Sequence, residues 1–277
     1  MMVKACQVFV SEITILLLYV TAAAAFGSSR LPRYSAKAHL MFLVACASVA
    51  IGITMHSETL YGSILIGEGF NLSLGNTVSM IGLELAIIAL IAALEPTLRG
   101  ISAGLLILGA VAAGMAVTEE SPVTMAALAW QVRAHILVSL MSYGILTVGA
   151  IVAVSAMIQE RRLQAGRLST VSSLFAPLET TEKLLFGITA AGFAGLALAI
   201  SSGLTFVDDL FAQHLAHKTA FSLLAFFVFG ALLAGRFFAG WRGKHAIKLY
   251  LGGFGLLCVA YFGVRLILEL GFDRSWG

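Results

Sequence analysis

The chain has 277 residues, of which 60% are apolar and only 11% are charged. An ordinary soluble domain is about 25% charged, and the mean hydropathy of this chain is +0.98. This composition excludes a cytoplasmic enzyme, a nucleic-acid-binding protein and a secreted module built on disulfides. It predicts a protein that lies mostly within a lipid bilayer.

Eight apolar segments are long enough to cross the bilayer, which takes about 20 helical residues. In chain order they cover residues 7–27, 38–57, 74–94, 100–118, 135–158, 184–206, 218–236 and 247–268. The first could be a signal peptide, but Glu12 interrupts its apolar stretch and its length suffices to span, so we predict a retained helix. The sequence therefore predicts an all-α polytopic membrane protein that forms a single transmembrane domain over residues 1–277.

The basic residues predict the orientation of these spans, because cytoplasmic loops carry an excess of Lys and Arg. One set of alternate loops and adjoining helix ends holds Arg30, Arg33, Lys37, Arg99, Arg161, Arg162, Arg167, Lys183, Arg236, Arg242, Lys244 and Lys248, out of 17 Lys and Arg residues. Placing this set inside puts both termini outside, in a bacterial inner membrane. The basic loops are expected to contact anionic lipid headgroups and not nucleic acid.

Small residues recur every fourth position in the sixth span, at Gly187, Ala191, Gly195, Ala199 and Gly203. Such a pattern lets helix backbones approach closely in a membrane. We interpret it as a packing face within the bundle, which would make this helix a central one.

Four of the six histidines fall at the predicted outer side: His56, His135, His214 and His217. Neutral imidazoles are common ligands of metal and haem iron. His214 and His217 are three residues apart and would share one helical face. Each alone is more simply a hydrogen-bonded interfacial histidine, but convergence of His135 with either would form a binding site.

Charged residues at membrane depth are costly and are functional candidates by default. Glu84 lies near the middle of the third span without an evident basic partner, which favours a neutral, hydrogen-bonded carboxyl over a proton relay. Arg265 and Glu269 are four residues apart in the last span and are expected to pair with each other. Alternatively, Arg265 would meet an acidic ligand such as a haem propionate.

Three segments resemble the haem-handling cytochrome c assembly proteins of the CcsA type. They are AHILVSLMSYGILT from Ala134, GFAGLALAISSGLTF from Gly192 and AYFGVRLILELGF from Ala260. The resemblance covers residues 130–272, whereas residues 1–120 form a divergent four-helix part. DDLFAQHLAHKTAFSLLAF from Asp208 is similar to a divergent branch of YpjD-like and HemX-like membrane proteins.

The resemblance implies haem as cofactor, with His135 at the position of the family's first flanking ligand. His217 stands beside the position of a lost Trp-rich motif and is a substitute by location, with His214 as an alternate. The family's tryptophan-rich loop is absent, as is its second flanking histidine, where Phe272-Asp273-Arg274 stand instead. These departures argue against lyase activity more than against haem binding.

Three functions follow from these patterns. The first is a non-enzymatic haem-binding protein of cytochrome c assembly or haem trafficking, with membrane lipid and other membrane proteins of haem handling as partners. The second is a structural or regulatory membrane subunit with a degenerate haem site. A small-solute or ion transporter depends on Glu84 alone, and the four prolines give no sign of the interrupted helices typical of transporters.

Overall fold

The computed structural model describes residues 2–66, 69–71, 73–115, 124–125, 129–165, 176–206 and 213–263. Eight α-helices occupy most of this part of the chain. They are α1 (Met2–Ser28), α2 (Ala38–Ile64), α3 (Leu74–Ala92), α4 (Arg99–Met115), α5 (Trp130–Gln164), α6 (Leu178–Phe206), α7 (Gln213–Ala239) and α8 (Gly243–Cys258).

Seven of these described helices, α1 to α7, are long and apolar enough to cross a membrane. The eighth, α8, continues into a π-helical turn at Val259–Gly263, where the described residues end. The prediction of an all-α polytopic protein is therefore confirmed, and each predicted span overlaps one helix. The helices α1, α2, α5, α6 and α7 extend beyond their predicted limits, because a helix need not stop where its first charged residue appears.

Short regular elements connect some of the helices. Helical 3₁₀ turns at Pro32–Lys37 and Pro96–Leu98 precede α2 and α4. Three short strands, β1 (Leu65–Ile66), β2 (Gly69–Asn71) and β3 (Thr124–Met125), form an antiparallel sheet in that order. The register pairs Leu65 with Phe70, and Phe70 with Met125.

The chain divides into two compact units. The first contains residues 1–128 and 158–180, and the second contains residues 129–157 and 181–277. In the first unit α1 packs against α2 and α4, and α3 packs against α2 and α4. Gly82 and Gly109 let α3 and α4 approach closely, since a Cβ at Gly109 would lie 3.0 Å from the Gly82 carbonyl oxygen.

The second unit is held together by contacts between α5, α6, α7 and α8. The Ser142 hydroxyl on α5 donates to the Gly192 carbonyl on α6 at 3.0 Å. Phe193 on α6 stacks on Phe226 of α7, with ring centroids 4.5 Å apart. The turn between α7 and α8 has positive φ angles at Gly240 and Gly243, of 64° and 56°, a conformation that glycine adopts without steric cost.

Candidate functional site

His135 lies in the second turn of α5, facing the last turns of α6 in the second unit. Its Nδ1 is 2.9 Å from the hydroxyl oxygen of Ser202. Gly203 lies directly beside the ring, because a Cβ there would be 3.0 Å from Cε1 of His135. The imidazole is half-buried. The side chain is therefore positioned by α6 and is not free in solvent.

The hydrogen bonds of Ser202 define which imidazole nitrogen carries the proton. The Ser202 hydroxyl donates its single hydrogen to the Ala199 carbonyl oxygen at 3.0 Å. It must then accept from His135, so Nδ1 is the protonated nitrogen. With Nδ1 as the donor the lone pair is on Nε2, and the Ala199 carbonyl also lies within hydrogen-bonding reach of the imidazole. A histidine oriented in this way by its other nitrogen is the usual arrangement of an imidazole metal ligand.

Aromatic and cationic side chains lie further along the same unit. The Tyr143 ring on α5 packs against Tyr261, with centroids 5.8 Å apart. The Lys218 ammonium of α7 lies 5.8 Å from the centroid of Tyr261. Tyr143 is two helical turns from His135. The middle of α5, the start of α7 and the π-helical turn after α8 thus bring together two tyrosines and a positive charge.

The predicted partners of His135 are only partly located. His214 and His217 belong to the first turns of α7, which begins at Gln213, with six residues between it and the end of α6 at Phe206. Their backbones are therefore at the end of the second unit where Ser202 lies, while their side chains lie outside what the structure describes. Arg265 and Glu269 also lie outside the described residues, so their roles stay predictions.

His56 differs from His135 although both were predicted at the outer side. It is buried on α2 in the first unit, at 2% exposure. Its Nδ1 is 3.1 Å from the Tyr19 hydroxyl and its Nε2 is 2.8 Å from the Ser79 hydroxyl. Because both nitrogens are engaged, His56 joins α1, α2 and α3 and has no lone pair available for a metal.

Glu84 is half-buried on α3 in the first unit. The described residues show no hydrogen bond or ion pair to its carboxyl group, so a role as proton relay stays a prediction. Within the same described part of the chain, no group of three or more His, Cys, Asp and Glu side chains could hold a metal ion. A haem iron requires fewer protein ligands, since the porphyrin supplies four.

The small-residue pattern of α6 is a packing face along only part of its length. Gly195 lies against Ser142 of α5, with Cβ distances of about 3.1 Å, and Gly203 lies against His135. Ala199 is buried. Gly187 and Ala191 are exposed instead. A repeat of four residues drifts by about 40° per step around a helix of 3.6 residues per turn, so the two ends of the pattern face different directions.

Sequence reasoning missed a second polar feature, which lies in the first unit. A cavity of about 350 Å³ is lined there by Glu12, His56, Glu58 and Ser79 together with apolar residues. Glu12 and His56 were each noticed in the sequence. Nothing in the spacing of 44 residues between them, however, indicated that α1 and α2 bring them to one cavity.

Comparison with known proteins now identifies the family. The model of the cytochrome c assembly protein family matches residues 13–270, which is most of the chain and includes α2, α3, α4 and the larger part of α1. The chain belongs to this family. The match extends well beyond the residues 130–272 on which the sequence resemblance was recognised.

Curated relatives match over shorter segments. The inner membrane protein YpjD of Escherichia coli strain K12 is 32% identical over 136 residues, 49% of this chain and 51% of YpjD. The cytochrome c biogenesis protein CcsA of Synechococcus elongatus is 28% identical over 91 residues, 32% of this chain and 28% of CcsA. The chain thus spans about half, or less, of the curated relatives it matches.

No solved structure matches the chain significantly. The family, the similarity to an inner membrane protein and the seven membrane-length helices identify the chain as a multi-pass inner membrane protein.

Proposed function

We propose that this protein binds haem at the end of its second unit and holds it for cytochrome c assembly without converting it chemically. Nε2 of His135 would be one axial ligand of the iron. His217 at the start of α7 would be the second ligand, with His214 as its alternate. In the predicted orientation this end of the unit faces the outer side of the inner membrane.

The hydrogen bond between His135 and Ser202 is the observation that supports this proposal most directly. It holds the ring against α6 and leaves the Nε2 lone pair available. A haem iron is commonly held by such an imidazole. His56 is not a candidate ligand of the iron, because it uses both ring nitrogens in hydrogen bonds.

Positive charge at this end of the unit would complement the haem propionates. Lys218 lies in the first turns of α7, one residue after His217, and its ammonium group is close to Tyr261. Arg265 follows Tyr261 by four residues in the sequence and would provide a second cation. Bound haem would supply redox-active iron, whereas the protein would position it and limit its exposure to water.

The proposed role is one of binding and transfer, and not of bond formation. The family's tryptophan-rich loop, which presents haem in the assembly proteins that this chain resembles, is missing from the sequence. A protein that holds haem without using it needs a donor and an acceptor. We therefore propose other membrane proteins of cytochrome or haem handling as partners, in addition to lipid.

The test is an absorption spectrum of the full-length protein, purified in detergent and titrated with haem. We expect a Soret band that His135→Ala weakens strongly and that His135→Met shifts, because a thioether replaces the imidazole on the iron. The double variant His214→Ala/His217→Ala should also change the band. His245→Ala is the matched control, since that exposed histidine of the same unit lies on Trp241.

An unchanged spectrum in His135→Ala, with the elution profile of the folded protein preserved, would overturn the proposal. A stoichiometric membrane partner that co-purifies with haem-free protein would instead favour the alternative, a structural or regulatory subunit with a degenerate haem site.

A further inference from the structure

The cavity in the first unit has a chemistry that the haem proposal does not use. It is formed by α1, α2, α3 and α4, near the end at which α1 begins and α2 ends. Its volume of about 350 Å³ is an order of magnitude more than one water molecule occupies in the liquid, about 30 Å³. It falls within the size range of pockets that bind small organic molecules.

Glu12 is the most unusual group in this cavity. Its side chain is buried, at 8% exposure, and its Oε2 has no hydrogen-bond partner among the described residues. A buried acceptor without a partner lowers the stability of the folded protein, and more so when it is charged. Since Glu12 lines the cavity, a ligand that donates a hydrogen bond to its carboxyl group would offset part of this cost.

The other lining residues specify the charge of such a ligand. Glu58 is a second carboxylate, and Thr59, Ser63 and Ser79 contribute hydroxyl groups, whereas none of the lining residues that the structure describes is Lys or Arg. The imidazole of His56 is already committed to Tyr19 and Ser79. The cavity therefore favours a cation that donates hydrogen bonds.

The size and the lining of the cavity fit an organic cation better than a bare metal ion. Glu12, His56 and Glu58 do not converge on one point, because no group of three metal-ligating side chains is present among the described residues. Ile15, Leu60 and Ala113 provide an apolar wall. Glu58 and Gly62 are exposed, so the cavity reaches the protein surface beside them.

We propose that this cavity binds a primary ammonium group carried on an apolar body, with the buried carboxylate of Glu12 as the acceptor for the ammonium. The apolar body packs against Ile15, Leu60 and Ala113. The same chemistry occurs in a free aliphatic or aromatic amine and in the ethanolamine headgroup of a phospholipid. The site is independent of the haem proposal, because all of its residues belong to the first unit.

The experiment measures equilibrium binding of radiolabelled phenethylamine to the full-length protein in detergent. We expect saturable binding that the neutral analogue 2-phenylethanol does not displace. Glu12→Gln keeps the size of the side chain but removes its charge, and should weaken binding about tenfold or more, as expected for a charged hydrogen bond. Glu84→Gln is the matched control, because Glu84 is a half-buried glutamate of α3 that does not line the cavity.

A second variant tests the cavity without touching Glu12. A side chain at Gly62 would meet no atom within 4 Å of its Cβ, so Gly62→Trp should fold and obstruct the mouth. It should reduce binding, whereas Gly187→Trp, at an equally open position in the second unit, should not. Binding that survives both Glu12→Gln and Gly62→Trp, or the absence of any saturable binding, would overturn the proposal.

Lipid nanodiscs distinguish the two sources of the ammonium group. If phosphatidylethanolamine lowers phenethylamine binding relative to phosphatidylcholine, and co-purifies with the wild type but less with Glu12→Gln, the occupant is the lipid headgroup. If phenethylamine binds equally in both lipids, the occupant is a free amine. Either result supports an ammonium site at Glu12, and neither depends on haem.

Discussion

The hydroxyl of Tyr250 on α8 donates a hydrogen bond to the carbonyl oxygen of Leu146 on α5, over 2.8 Å. Both residues are fully buried. Gly149 makes this contact feasible, because a Cβ at that position would collide with the Tyr250 hydroxyl. The glycine at position 149 thus permits the hydrogen bond between Tyr250 and Leu146, which lies about one helical turn before it on α5.

Tyr250→Phe should lower the stability of the second unit by about 0.5–1.5 kcal/mol, the usual net contribution of one hydrogen bond. The ring still packs against Phe229, whose centroid is 5.2 Å away, so the fold should be retained. Thermal unfolding in detergent measures the effect. An unchanged midpoint would mean that the bond to Leu146 adds nothing to stability.

Gly149→Ala should be more damaging than Tyr250→Phe, because the new methyl group overlaps the Tyr250 side chain. Overpacking of a tight core costs about 1–3 kcal/mol. Gly187→Ala, where the Cβ meets no atom within 4 Å, is the control and should leave the unfolding midpoint unchanged or slightly raised. Equal midpoints for the two alanine variants would contradict the close packing of α5 and α8.

Ser202→Ala should weaken haem binding about 10–100-fold, the range typical of groups that orient a metal ligand. Without the hydroxyl, residue 202 has no side-chain acceptor for the Nδ1 proton of His135, and the ring loses the hydrogen bond that orients it. Ser201→Ala is the control, since Ser201 is the exposed neighbour on the same helix. The measurement is a haem titration, and equal affinities for both variants would refute the orienting role.

Gly203→Ala tests the position of the imidazole by a different route. The added methyl group would lie 3.0 Å from Cε1 of His135, which forces the ring to shift by a few tenths of an ångström. We expect a weaker or shifted Soret band with little loss of protein stability. A spectrum identical to that of Gly187→Ala would show that the ring tolerates the displacement.

Glu182→Ala should destabilise the junction of α6 and α8 more than Arg242→Ala does. The Glu182 carboxylate accepts from the Gly243 backbone N–H at 2.9 Å, at the start of α8, and from Nε of Arg242 at 3.1 Å. A hydrogen bond to a charged group contributes about 1.5–3 kcal/mol. The Arg242 side chain is 60% exposed, so its ion pair contributes at most about 1 kcal/mol. Unfolding midpoints of the two variants provide the comparison.

The helices could be predicted from the sequence because a bilayer imposes one strong requirement on every crossing segment. A run of about 20 apolar residues has few alternatives to a helix in lipid. Their ends were less predictable. The α2 helix passes Glu58 and ends only at Ile64, since backbone hydrogen bonding does not stop at a charged residue.

The contacts of the candidate site depend on helix rotation, which hydropathy does not determine. His135 and Ser202 are 67 residues apart, and the bond between them requires that α5 and α6 present particular faces. His56 and His135 were equivalent in the sequence. In the structure they differ in their hydrogen bonds. Both ring nitrogens of His56 bond to hydroxyl groups, whereas His135 bonds to a hydroxyl group through Nδ1.

The 35 residues of α5 make it much longer than a bilayer crossing requires. At 1.5 Å per residue its axis measures about 52 Å, against a hydrocarbon thickness of about 30 Å. A helix of this length must tilt steeply or stand clear of the lipid at its ends. Its final turns, which carry Arg161 and Arg162, would project into water as a basic helix end. Trypsin added to sealed vesicles would therefore reach these two arginines from one side of the membrane only.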